Sequence, residues 1–335
     1  MQNQSYQARR RALADIAKET IALTPTIAAS LPHLALSTAV RLDLSTLPPL
    51  DPTKCPRYTL PSDPSLVGTT IRVLPSDSFD AAIAMPSTIL GPAPATLHST
   101  AEIESHRLAQ LKSLSLRPEN VRDDESARVA VLNMASDKTP GGGWLGGAAA
   151  QEEALCFRSS LASSLDRGFY PIPDRSGVYT RDVVVFRTAM ADGHGLMTAA
   201  GVEETRLPVV SVLSVAGIRR PPVRSLVEAG GVRRAVFARD GDRELTKDKM
   251  RLCLRMAGMG GHAMVVLGAL GCGAFRNPAG EVAACWGEVL GEEEFSGGWF
   301  REVWFAVYDR KGDGNLPVFE EALDGRRFGV RTARE

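Results

Sequence analysis

The chain has 335 residues, 44% of them hydrophobic and 23% charged, the balance of an ordinary globular protein with room for one large domain or a domain plus a helical appendage. Its 39 Lys and Arg match its 39 Asp and Glu, so no net field draws it to nucleic acid or a membrane surface, and a polyanionic ligand would need a local cradle. Five cysteines without a CxxC pair and five histidines never at ligand spacing argue against a disulfide scaffold or a zinc site, so neither metal nor cofactor is expected.

The opening MQNQSYQARRR lacks the apolar core of a signal peptide, and the apolar stretch over 21–44 is cut by Pro25, Pro32 and Arg41, too broken to span a bilayer. No membrane association is expected. The cluster Arg9-Arg10-Arg11 reads as a solvated helix face, with a weak nuclear signal as the alternative. Ala12, Leu13, Ile16, Ile21 and Leu23 fall near helical spacing and predict an amphipathic helix over 7–23. Proline-dense text over 47–64 predicts irregular connection, 69–74 a strand, and Asp77 and Asp80 the opening of a short helix. Residues 85–100 read as a loop within an insertion over 85–125, with a helix over 101–114.

From residue 127 the pattern becomes regular. ARVAVLNMA is apolar almost throughout, the signature of a strand buried on both faces. Helices are expected over 151–165, 245–259 and 279–290, and strands over 178–187, 207–216, 263–270 and, as the last element, 301–309. Alternating apolar strands and amphipathic helices predict a three-layer α/β/α domain on a mixed sheet. The expected layout is an N-terminal helical and irregular extension over 1–65, packed on a domain over 66–335.

Two glycine-rich turns each leave a buried strand and enter a helix. The first is TPGGGWLGG (139–147) and the second GALGCGAFRNP (268–278). Glycines there admit backbone N–H groups against a ligand, and a helix N-terminus favours an anion. Two such loops at strand carboxyl ends would flank one crevice. Neither matches GxGxxG with its acidic partner or GxxxxGK[ST], which disfavours a dinucleotide redox fold and a P-loop NTPase. Phe275 is read as projecting toward the ligand, and Cys272 as a small packed residue.

Gln151-Glu152-Glu153 follows the first loop in the first turn of a helix. Acids in that position offset the helix dipole by roughly 0.3–1 kcal/mol, which needs no chemistry. Their place beside the crevice suggests more. Consecutive helical side chains point about 100° apart, so one carboxyl can face a scissile bond while the other holds a sugar hydroxyl. Glycosidic cleavage needs a proton donor to the departing oxygen, and partial desolvation beside a second carboxylate raises a carboxyl pKa toward that task.

Three glycines (Gly141–Gly143), seven residues and Gln-Glu-Glu resemble the signature of the microbial-type poly(ADP-ribose) glycohydrolase family, a macrodomain branch. The likeness takes in VLNMAS (131–136), VYTRDVVVFR (178–187), LGALGCGAFRNP (267–278) and VWFAVYD, covering about residues 127–310. It implies a macrodomain-like fold and hydrolysis of ribose–ribose linkages to release ADP-ribose, with a role in the DNA damage response. Glu153 would be the general acid and then base, with Glu152 orienting the distal ribose. Asn133 would hydrogen-bond that ribose, the amides of Gly141, Gly142 and Gly143 would line its pocket, and Gln151 would be a further ligand contact. Gly271, Cys272, Gly273, Ala274 and Phe275 would wrap the diphosphate, Phe275 packing on the ribose, with Asn277 a further ligand contact and Tyr308 or Phe305 the candidates for adenine stacking. The implied partners are poly(ADP-ribose) and ADP-ribosylated proteins, the chain acting as a monomer in the nucleus or cytoplasm. The alternatives are a non-catalytic ADP-ribose reader and a hydrolase of mono-ADP-ribosyl or O-acetyl-ADP-ribose derivatives. The spacer WLGGAAA (144–150) is poorer in polar residues than the family's.

Overall fold

A computed structural model describes residues 2–60, 62–90, 128–227, 231, 233–309 and 312–332. The first strands are β1 (Val40–Asp43), β2 (Thr59–Leu60), β3 (Asp63–Leu74), β4 (Ala130–Met134), β5 (Ser176–Val184) and β6 (Val209–Val215). Next come β7 (Val223–Val227), β8 (Arg233–Phe237), β9 (Met264–Leu267), β10 (Glu302–Ala306) and β11 (Arg327–Thr332). Nine of them form one mixed sheet in the order β1-β5-β6-β4-β9-β10-β3-β11, with β2 beside β3. β6, β4, β9, β10 and β3 run parallel, while β5, β1 and β11 close the edges antiparallel. β7 and β8 pair in a separate hairpin.

Helices cover both faces. α1 (Gln2–Ser30), α2 (Ser78–Leu90) and α3 (Gln151–Arg158) lie on one side. α4 (Asp240–Met259), α5 (Ala279–Leu290) and α6 (Asn315–Leu323) lie on the other. The central strands feed both cores alternately: Val131, Val212, Val266 and Trp304 pack toward α1–α3, and Leu132, Leu213, Leu267 and Phe305 toward α4–α6. That two-sided burial is why these strands read as continuous apolar runs, each large side chain contributing about 1.5–3 kcal/mol. The three-layer α/β/α expectation holds.

Several boundaries move. α2 continues to Leu90, so the loop expected from residue 85 begins later, and the rest of the expected insertion, with its helix over 101–114, lies outside the described residues. α3 ends at Arg158 rather than 165, because Ser159 turns to extended geometry and short helical turns follow. β10 is not the last element; α6 and β11 come after it, β11 pairing with β3. Within 1–65, β1 and β2 hydrogen-bond into the main sheet.

Buried ion pairs fix the helices that frame the first glycine loop. Arg158 at the end of α3 is buried and pairs with Asp77 and with Asp80 (2.6 Å), tying α3 to the start of α2. Arg187 reaches Glu19 (2.6 Å) and the Thr20 hydroxyl (3.1 Å), and that hydroxyl donates to the Phe157 carbonyl, so α1 is pinned across α3.

Candidate active site

The loops after β6, β4 and β9 emerge side by side, since these three strands are parallel neighbours. The crevice lies at the carboxyl ends of the strands, where open α/β sheets bind ligands. Arg219, after β6, connects all three loops. Its guanidinium bonds Asp137 (2.7 Å) and covers the half-buried Phe275 ring at 4.4 Å, while the Arg220 N–H donates to the Phe275 carbonyl (2.8 Å).

Asn133 stands where β4 ends, fully buried on the α1–α3 side. Its Nδ2 donates to the Ser214 hydroxyl (3.0 Å) on β6 and more weakly to Glu152 Oε1 (3.4 Å). Its Oδ1 is buried with no partner among the described residues, an acceptor left open for a ligand hydroxyl.

α3 starts at Gln151 because Ala150 is extended (φ −96°, ψ −171°) and Glu153 Oε2 accepts the Ala150 N–H (2.9 Å). This is half of a capping box, since alanine has no side-chain acceptor to complete it. The other Glu153 oxygen accepts the Gly143 N–H (2.9 Å). Glu152 points elsewhere, as its helical position dictates. Its Oε2 accepts the Ser136 N–H (2.7 Å), fastening it to the end of β4. Both carboxyls converge beneath Gly142. A Cβ there would lie 2.5 Å from Glu153 Oε1 and 3.0 Å from Glu152 Oε2, and the residue has φ +60°, so glycine is required on two counts.

Both carboxyls are buried. Glu152 is 3% exposed and Glu153 8%. Desolvation, with a smaller push from the neighbouring Glu153 charge, raises the Glu152 pKa to about 8 despite the hydrogen bonds that oppose it. Desolvation beside a second carboxylate, suggested by the sequence, thus raises the pKa of Glu152. Tyr170, not singled out from sequence, is half-buried, its hydroxyl has no partner among the described residues, and its pKa is raised by burial and then by the nearby Glu152 charge. Ser136 and Ser214 are further site residues that sequence reading missed. Only Ser136 had a signal, its place in the VLNMAS stretch.

Three of the expected ligand contacts are engaged in the scaffold. The Gln151 amide accepts the Met134 N–H (2.8 Å) and donates to the Leu132 carbonyl (2.7 Å) and Ser78 hydroxyl (3.2 Å), locking α3 onto β4. Asn277, buried, donates from Nδ2 to the carbonyls of Ile218 (2.7 Å) and Gly271 (3.0 Å), which joins the second loop to the loop after β6. Phe305 is fully buried between Trp286 and Phe319 and cannot reach a base; it faces the α4–α6 core because β10 alternates. Tyr308, just past the end of β10, is 54% exposed. Gly273 and Ala274 are exposed on the second loop, and Cys272 is half-buried with its thiol pushed up by burial, consistent with a packed rather than reactive sulfur.

The polar-poor spacer has a structural reason. It packs on α1: Arg10 Nε donates to the Gly146 carbonyl (2.9 Å), and a Cβ on Gly147 would lie 2.0 Å from the Arg10 carbonyl oxygen. Among the described residues no His, Cys, Asp and Glu gather in a group that could hold a metal ion, and no helix is long and apolar enough to cross a membrane.

A mixed sheet sandwiched by helices, with one glycine loop closing over two carboxyls and a second leaving a neighbouring parallel strand, defines a macrodomain-like fold. Residues 68–188, which hold β4, the first loop and the acidic pair, match the model of the microbial-type PARG catalytic domain. The fold is similar to that of poly(ADP-ribose) glycohydrolase from Thermomonospora curvata (24% identity, TM-score 0.61), covering 93% of this chain and 99% of that one. The Thermomonospora curvata enzyme bound to the inhibitor ADP-HPD gives 23% identity and a TM-score of 0.60 over the same shares. A mutant of the Deinococcus radiodurans enzyme in complex with ADP-ribose gives 22% and 0.54, covering 85% of this chain and 94% of that one. No curated protein matches.

Proposed function

We propose that the chain is a poly(ADP-ribose) glycohydrolase that cleaves ribose–ribose O-glycosidic bonds and releases ADP-ribose. The observation that carries the reading is the convergence of Glu152 and Glu153 under Gly142, beside the open acceptor of Asn133. A terminal ADP-ribose enters between the two loops, its diphosphate against the backbone of 271–275 and its distal ribose donating a hydroxyl proton to Asn133 Oδ1. Glu152, its pKa raised by burial to about 8, braces that ribose in its neutral form. Glu153 protonates the departing 2′-oxygen as the anomeric C–O bond breaks. It then takes a proton from the water that adds to the anomeric carbon, which returns it to its starting state. Gln151 and Asn277 position the helix and the second loop rather than touch ligand.

A reader that only binds has no use for two carboxyls buried under a glycine, which favours hydrolysis over recognition alone. The test is release of ADP-ribose from polymer by wild type and Glu153→Gln. A loss on the order of a hundredfold or more with ADP-ribose affinity retained is expected. Equal rates would remove Glu153 from the reaction.

A further inference from the structure

A concavity lies between the first glycine loop and α1. It has a volume of about 360 Å³ and is bounded by α1 (Thr20, Ile21, Thr24, Pro25), by the loop (Thr139, Pro140, Gly142, Trp144, Leu145) and by residues 159–167. That is within the roughly 300–1,000 Å³ range of small-ligand sites. Its lining includes two exposed large apolar residues, Ile21 (50%) on α1 and Leu145 (57%) on the loop. Arg167, also in the lining, is exposed and makes no ion pair among the described residues. The groove adjoins the catalytic carboxyl through Gly142, which lines it and stands over Glu153 Oε1.

We infer that this groove is the subsite for the leaving side of the polymer, taking the adenosine of the unit from which the terminal ADP-ribose is cut. The inference rests on the glycohydrolase reading and adds to it. The bond that breaks joins an anomeric carbon to the 2′-oxygen of an adenosine ribose, so the group immediately beyond the acid is a nucleoside. With the terminal unit seated between the two glycine loops, that nucleoside lies past Glu153, on the side where Gly142 gives onto the groove. Apolar walls from Ile21 and Leu145 suit the faces of a purine, and Arg167 suits the adjoining diphosphate. The groove also supplies a reason for the long α1, which forms one of its walls: the loop that carries the chemistry is braced and extended by the same helix.

The experiment compares wild type with Ile21→Ser/Leu145→Ser and with Arg167→Ala, all at exposed positions where unfolding is not expected. Three quantities are read: KM for poly(ADP-ribose), affinity for free ADP-ribose, and turnover of an ADP-ribosyl substrate whose leaving group is a small phenol in place of adenosine. The inference expects a rise of about tenfold in polymer KM for each variant, which is about 1.4 kcal/mol, with the other two readouts unchanged. An unchanged polymer KM overturns the subsite. So does an equal loss on the small-leaving-group substrate, because the effect would then lie in the catalytic centre. If wild type binds ADP-ribose but cuts neither substrate, the glycohydrolase reading fails first and takes the subsite with it.

Discussion

The two glycine loops leave adjacent strands of one sheet, yet they are built in opposite ways. The first, 139–147, is enclosed: Trp144 is buried beneath it, both carboxyls press on Gly142, and α1 lies against Gly146 and Gly147. The second, 268–278, is open at its tip, where a Cβ on Gly273 would touch nothing within 4 Å, and it is moored largely through Asn277 and Arg219. The difference follows from the work each is assigned. A loop that sets a proton donor against one bond must be held to fractions of an ångström, whereas a loop that presents amides to a diphosphate can adjust as the ligand arrives.

Substitutions at matched positions can break that contrast. Gly142→Ala should have the largest effect, since a Cβ both meets the carboxyls and pays the positive-φ penalty of about 1–2 kcal/mol. Polymer turnover should fall on the order of a hundredfold, and retention of near-normal turnover would show the first loop to be looser than its packing. Asn277→Ala removes two hydrogen bonds to loop carbonyls and should cost roughly 1–3 kcal/mol in denaturant unfolding, with weaker ADP-ribose binding. Glu152→Gln sharpens the comparison through pH. A carboxyl whose pKa is raised on folding contributes stability that is complete below its ordinary value of 4.5 and is lost as pH climbs through about 8. The melting temperature of Glu152→Gln relative to wild type should therefore increase from about pH 5 to about pH 8. A difference that stays flat would mean that Glu152 is not desolvated. Gly273→Ala should be the mildest, changing unfolding free energy by less than about 0.5 kcal/mol.

Much of the architecture was legible because its signals are local. The buried strand over 130–134, the helix over 279–290 and the acidic first turn of α3 each announce themselves within a short stretch of neighbours. Elements without such a signal were missed. The β7 strand is exposed along its whole length, so no alternation marks it, and β11 shows its identity only by pairing with β3, which lies near the other end of the chain. At the site, the motif located the carboxyls but not their environments. Phe305 looked available as a stacking ring until β10 turned it inward, and Gln151 looked like a ligand contact until its amide closed on Met134 and Leu132.

By itself the order of residues determined which groups could carry the chemistry: a carboxyl pair beside a glycine turn, an asparagine at a strand end, and a second glycine turn far along the chain. Periodicity and composition act over one turn or one strand, and that much can be read from neighbours. Only the tertiary structure decided that β4 and β9 lie side by side, that α1 braces the loop, and that burial raises the Glu152 pKa. Those outcomes depend on desolvation and on close approach between segments far apart in the chain, which exist only once the sheet has assembled.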